Sequence, residues 1–207
     1  MTNKKLLALL AVSAIALATA TTAQADTGAQ SPWQLRVRAI DVSPDESSTT
    51  SNGGKITADA TVVPELDISY FFTDNISAEL ILATSKHNMG EVAPNIDLGD
   101  VWVLPPTLTA QYHFNNDTGF VPYLGAGINY TFFYNADPGA VTSIKYDNGF
   151  GYALQAGFDY KLDSHWMLNA DVKKIFLNTD ASVNGGAVTA DVDLDPWVLG
   201  LGVGYRF

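Results

Sequence analysis

The stretch Leu194–Phe207, LDPWVLGLGVGYRF, decides the fold. Trp197, Leu199, Leu201, Val203, Tyr205 and Phe207 fall on one parity; Pro196, Val198, Gly200, Gly202, Gly204 and Arg206 fall on the other. A period of two sustained over ten residues is a β-strand, not a helix. One face is wholly apolar and carries rings at its ends; the other is glycine at three successive positions, Gly200, Gly202 and Gly204. A strand of about 9–11 residues, apolar at every second position, is long enough to cross a bilayer at a tilt.

Seven earlier runs repeat the pattern: 33–42, 61–72, 76–85, 106–114, 120–133, 149–161 and 166–177. In 33–42, Trp33, Leu35, Val37 and Ala39 oppose Gln34, Arg36 and Arg38. In 149–161, Phe150, Tyr152, Leu154, Ala156, Phe158 and Tyr160 oppose glycine, Gln155, Asp159 and Lys161. Lys174 interrupts the apolar face of 166–177. The connections alternate in length. Residues 73–75, 115–119 and 162–165 are short turns; about 43–58, 86–104, 134–148 and 178–191 are long and polar and read as loops. Eight strands, with turns at one end and long connections at the other, predict an all-β, eight-stranded antiparallel up-and-down transmembrane β-barrel. Rings at both strand ends match the aromatic girdles that lie at lipid headgroups. A soluble lipocalin-like barrel is the rival, but an eight-stranded interior is already filled by side chains and has no room for Trp33, Tyr112, Phe158 and Trp166.

Residues 1–25 read as a cleaved signal peptide: Lys4 and Lys5, an apolar run from Leu6 to Ala18, then the small-x-small stretch Ala23-Gln24-Ala25. Residues 26–207 read as the barrel and as a single domain. The signal takes two of the eleven basic residues and none of the 22 acidic ones, which leaves a net charge of −13. Such a balance argues against a nucleic-acid partner. The absence of cysteine excludes disulfides and thiol chemistry.

Four stretches, LPPTLTAQYHF (104–114), PYLGAGINYTFF (122–133), TDNISAELILAT (73–84) and the terminal LDPWVLGLGVGYRF, resemble the OmpW family of small outer-membrane barrels. The resemblance runs in order through most of the chain. It implies a barrel in the Gram-negative outer membrane, passive uptake of small hydrophobic solutes through a narrow apolar lumen, and sideways exit into outer-membrane lipid. It also implies phage or bacteriocin contact at the outer loops of some members. Residues 171–177, DVKKIFL, depart from the tryptophan- and tyrosine-rich run that well-known members carry there. The resemblance further marks a terminal aromatic, Phe207 here, as the assembly signal.

Placing the short turns on the periplasmic side orients the inward face. Arg36, Asp67, Glu79, His113, Asp159, Lys161 and Arg206 lie near that end and read as a polar plug, since charges inside a narrow barrel must be paired or wet. Toward the other end the inward face turns apolar, and Val63, Ile81, Phe133, Ile175 and Val198 read as the lumen path for an apolar guest. The inward glycines either make room for that guest or permit tight packing and curvature. Pro105 and Pro106 cannot complete ladder hydrogen bonds and mark a lateral gate. Enzyme readings lack support. His87, His113 and His165 form no metal-spaced set, and Ser85 near His87 in an outer loop is weak ground for nucleophilic catalysis. No cofactor or metal is implied. The expectation is a monomeric, non-enzymatic porin-like protein for passive uptake of hydrophobic molecules; a structural barrel or a phage or colicin receptor is the alternative.

Overall fold

A computed structural model describes residues 30–92 and 95–207. The signal-peptide assignment at 1–25 lies outside the described residues. Eight staves close a barrel: β1 (Trp33–Ser43), β4 (Thr61–Phe71), β5 (Ile76–Ala83), β8 (Thr107–His113), β9 (Phe120–Asp137), β11 (Gly149–Lys161), β12 (Trp166–Val183) and β14 (Trp197–Arg206). Each pairs antiparallel with its neighbour in chain order, and β14 returns to β1 through ten consecutive residue pairs, Gln34 with Arg206 to Ser43 with Trp197. Closure leaves these staves without free edges.

Parity decides what each side chain meets. On β1, Gln34, Arg36, Arg38 and Ile40 are buried inside, while Trp33 and Val37 are half exposed outside. On β14, Leu199, Leu201 and Val203 are exposed, whereas Val198 is buried. The exposed apolar band is bounded by rings. At the turn end Trp33, Tyr70 and Phe72 form one edge-on string, and Trp166, Tyr205 and Phe207 form another. At the far end Tyr130 meets Phe132 and Phe150, and Tyr152 stacks on Phe176. The eleven residues from Trp197 to Phe207, tilted as barrel strands are, rise about 25 Å, the height of a membrane barrel's apolar band. Lys174, the exception on the lipid face, snorkels along the far girdle. Its ammonium lies 3.1 Å from Asp45, 2.6 Å from the Asp195 carbonyl and 5.0 Å from the Trp197 ring centre.

The long polar connections are not loops. They continue the sheet beyond the girdle as β2 (Ser47–Thr50), β3 (Lys55–Ala58), β6 (Ser85–Val92), β7 (Ile96–Leu104), β10 (Ile144–Tyr146) and β13 (Val188–Asp193), with the upper parts of β9 and β12. Their inward face is a small core of Ile56, Met89, Leu98, Val101, Val103, Tyr146, Ala181, Val183 and Val192. Two features hid these strands from a period-two reading. The inward set of β6 mixes Ser85, His87 and Glu91 with Met89. On β7, Leu98 and Val101 both point inward although three residues apart, because the ladder slips at Gly99. Gly99 holds φ +83°, and a methyl there would fall on the Asp137 carbonyl.

Candidate functional site

The barrel interior divides into a charged lower part and an apolar upper part. The lower part is a packed ionic network. Arg36, fully buried on β1, pairs with Glu79 and puts two nitrogens on Asp159, Nη2 at 2.6 Å and Nε at 3.1 Å. Arg38, two residues on, reaches Glu65 at 2.9 Å, Asp67 at 2.8 Å and Asp171 at 2.7 Å. Lys173 bridges Glu65 at 2.7 Å and Asp171 at 3.2 Å. Carboxamides carry the network across the lumen: Gln111 donates to Glu79 at 2.6 Å, and Gln155 donates to Glu79 at 3.1 Å and Asp171 at 2.8 Å. Asn169 donates to Asp159 at 2.8 Å and to the Tyr123 hydroxyl at 3.1 Å. Every stave but β14 contributes a side chain to this layer. Paired and hydrogen-bonded charges of this kind tolerate burial; single ones do not.

Five of the seven residues expected in the plug lie within or directly beneath it: Arg36, Asp67, Glu79, His113 and Asp159. His113 sits under the ionic layer, bonded to Ser77 at 3.1 Å and packed between the Phe71 and Tyr123 rings. The other two are corrected by the structure. Lys161 is exposed at the turn-end rim and makes no ion pair among the described residues. Arg206 is half-buried below the network, its guanidinium 3.9 Å over the Phe71 ring and its Nε bonded to the Ser31 carbonyl at 3.1 Å. Both sit at the last inward position of their strands, where the lumen opens to water. Sequence reasoning missed Arg38, Glu65, Asp171 and Lys173 in this role. All share the inward parity, but they lie above the turn end, where the sequence pattern alone places the plug.

The glycine face of β14 also has its explanation here. A methyl at Gly200 would strike Asp171, at Gly202 the Val37 carbonyl and Arg38, and at Gly204 the Met167 side chain. The glycines leave room for the arginine stems and let β14 approach β1 closely. They do not widen a channel.

Above Glu65 and Lys173 lies an apolar cavity. Its walls are Ile40, Val63, Ile81, Phe133, Ile175 and Val198, and its upper boundary is the core of the sheet extension. All five residues expected on the lumen path line it. Ile81, Ile175 and Val198 are buried, and Val63 and Phe133 are half-buried. Pro105 lines the same cavity, whereas Pro106 lies outside it. Around the two prolines the wall is thin. The β5–β8 ladder stops at Ile81 with Thr107, and the β6–β7 ladder starts at Ser85 with Val103. Between them Leu82–Thr84 face Leu104–Pro106 with no strand register, and the Thr84 hydroxyl donates to the Val103 carbonyl at 3.3 Å. On its other side the proline pair is tied to β9 through the Tyr130 N–H, which donates to the Pro106 carbonyl at 3.2 Å. A second interruption, Pro44–Glu46 against Leu194–Pro196, is bridged more fully. Across it the Asp45 N–H donates to the Leu194 carbonyl at 3.1 Å, a backbone bond where the first interruption has only a side-chain one, and on its other side the Ile175 N–H of β12 donates to the Pro196 carbonyl at 3.1 Å.

The eight-stave barrel has counterparts among known proteins. Residues 30–207 match the OmpW family. The chain belongs to that family. It is 49% identical to the uncharacterized outer-membrane protein y4mB of Sinorhizobium fredii, over 86% of this chain and 80% of that one. Outer membrane protein W of Vibrio cholerae is 38% identical, over 69% and 72% of the two chains. Among solved structures, OprG of Pseudomonas aeruginosa superposes with a TM-score of 0.81 at 32% identity, covering 86% of this chain and 97% of that one. The chain is therefore a Gram-negative outer-membrane β-barrel protein. Barrels of this kind turn their short connections to the periplasm. The OmpW-family chain described here thus has its ionic plug on the periplasmic side and its cavity toward the outer leaflet. Phe207, at the periplasmic girdle, donates its N–H to the Trp33 carbonyl at 3.2 Å and accepts from Ser31 N–H at 2.6 Å.

Proposed function

We propose that this barrel admits small hydrophobic molecules passively, without catalysis, and releases them sideways into the bilayer. The observation that carries the reading is the contrast between the two halves of the lumen. The cavity offers apolar walls and a few polar groups, the composition of a small-molecule site. Directly beneath it, Arg36, Arg38, Lys173 and five carboxylates fill the lumen. A hydrophobic solute crossing that layer would have to separate buried ion pairs, each costing several kcal/mol. The wall at Leu82–Thr84 and Leu104–Pro106 lacks ladder bonds, so leaving through it breaks fewer hydrogen bonds. No energy source is required, because partition into lipid is downhill for an apolar molecule.

The test is paired uptake in cells with and without the protein, using one hydrophobic probe and one small polar probe. Selective loss of hydrophobic uptake on deletion supports the proposal. Equal loss of both means a general pore. No loss of either shifts the weight to a structural or receptor role for the outer sheet extension.

A further inference from the structure

Ser85 and His87 form a hydrogen-bonded pair on the cavity wall, and the geometry fixes which atom carries each proton. His87 Nδ1 lies 2.8 Å from the Asp59 backbone carbonyl, and Nε2 lies 2.9 Å from Ser85 Oγ. A carbonyl only accepts, so Nδ1 holds the hydrogen. The side chain stands in the sheet extension beyond the membrane, beside the outward Lys86–Asp100 pair. Burial lowers its pKa below the usual 6.5, with the Asp59 carbonyl acting the other way. The ring is therefore neutral at pH 7 and Nε2 is an acceptor. Ser85 donates its only proton to Nε2. What Ser85 Oγ still presents is lone pairs.

Both residues line the cavity, and both are more than 90% buried. Two further polar groups on the same wall have no partner among the described residues. Both amide atoms of Asn129, which is 2% exposed, are unpaired, as is the Tyr146 hydroxyl. Asn129 is held in place against Gly151, where a methyl would collide with its Oδ1. A plain hydrocarbon in this chamber leaves Asn129 and Tyr146 unsatisfied, which is costly for buried polar atoms; both offer donors as well as acceptors and so serve an alcohol or an ether alike, and only Ser85, its proton committed to His87, tells the two apart.

Resting on the uptake reading, we propose that the cavity selects apolar solutes that carry a hydrogen-bond donor, such as primary alcohols, over equally sized solutes that can only accept, with Ser85 Oγ as the acceptor. The matched probes are 1-hexanol and methyl pentyl ether, which are isomers and differ in the donor. The protein is placed in lipid nanodiscs, and the methyl resonances of Ile81 and Val198 are followed as each probe is added. Nanodiscs of the same lipid without protein give the baseline for partition into lipid. One net hydrogen bond corresponds to a preference of about fivefold for the alcohol over that baseline. In S85A the preference falls toward the baseline while ether binding is retained. Equal binding of the two isomers by the wild type, or a full preference kept by S85A, overturns this assignment and leaves the uptake reading standing. Binding of neither isomer overturns both. A second measurement does not depend on the variant folding. The nitrogen-15 spectrum of His87 at pH 7 should show the Nδ1–H tautomer, and the Nε2–H tautomer would overturn the proposal.

Discussion

Replacing Arg38 by methionine tests whether the plug is an interdependent charge network. Arg38 is 1% exposed and is the one cation within salt-bridge distance of Asp67 among the described residues. It shares Glu65 and Asp171 with Lys173. Methionine fills much of the stem volume but leaves Asp67 as a buried carboxylate without a cation, and leaves Lys173 alone with two others. Removing one partner of a buried ion pair costs about 3–5 kcal/mol. With a urea slope of about 2 kcal/mol per molar, the unfolding midpoint falls by about 2 M. The assay is urea titration in lipid vesicles, followed by fluorescence of the four tryptophans. The decisive comparison is the double variant R38M/D67N. Converting the stranded carboxylate to an amide should recover about half of the loss, because the uncompensated charge causes most of it. A single variant within about 0.5 M of the wild type would refute the reasoning. So would a double variant less stable than R38M, since that would make Asp67 independent of its cation.

Three further outcomes are expected. Gly202→Val places branched bulk against the Val37 carbonyl and Arg38, and should cost at least about 1–3 kcal/mol or prevent closure, read from heat-modifiable gel mobility; Leu201→Val, outward on the same strand, should migrate as the wild type does. Converting Pro105 and Pro106 together to alanine supplies two N–H groups opposite Leu82–Thr84, and should slow hydrophobic uptake severalfold with unchanged folding; unchanged uptake would count against a lateral gate. Removing Phe207 takes away two hydrogen bonds beside β1 and the Tyr205 ring contact, so the folded fraction recovered from outer membranes should fall; a normal yield would contradict a part for this residue in assembly.

The staves were legible because lipid outside and packing inside impose opposite polarities at a spacing of two. The β14 face from Trp197 to Val203 shows this with no charged residue in it. The sheet extension was illegible for a different reason. Its outer face meets water and its inner face mixes Ser85, His87 and Glu91 with Met89, so contrast between faces is lost. The Gly99 slip then breaks the phase. In the candidate site, parity alone placed Val63, Ile81, Phe133, Ile175 and Val198 around one cavity. Depth was harder. Arg38, Glu65 and Lys173 come from three strands, and only inter-strand register puts them at one height. Ser85 and His87 are adjacent on one face of β6, but the Asp59 carbonyl that orients the imidazole comes from 28 residues away.

The bare inner face of β14 bears on the order in which the barrel can be made. β1 and β12, the strands on either side of it, carry Arg36, Arg38, Asp171 and Lys173, which pair with groups on β4, β5 and β11 and, through Arg38 and Asp171, with each other across β14. Between Val198 and Arg206 the last stave brings only hydrogen atoms into the space those chains occupy. It can therefore join a lumen that is already filled, and no arginine has to move aside for it. Sealing the wall then leaves one ion pair to be made across the seam, Arg38 with Asp171, while the others can be in place beforehand.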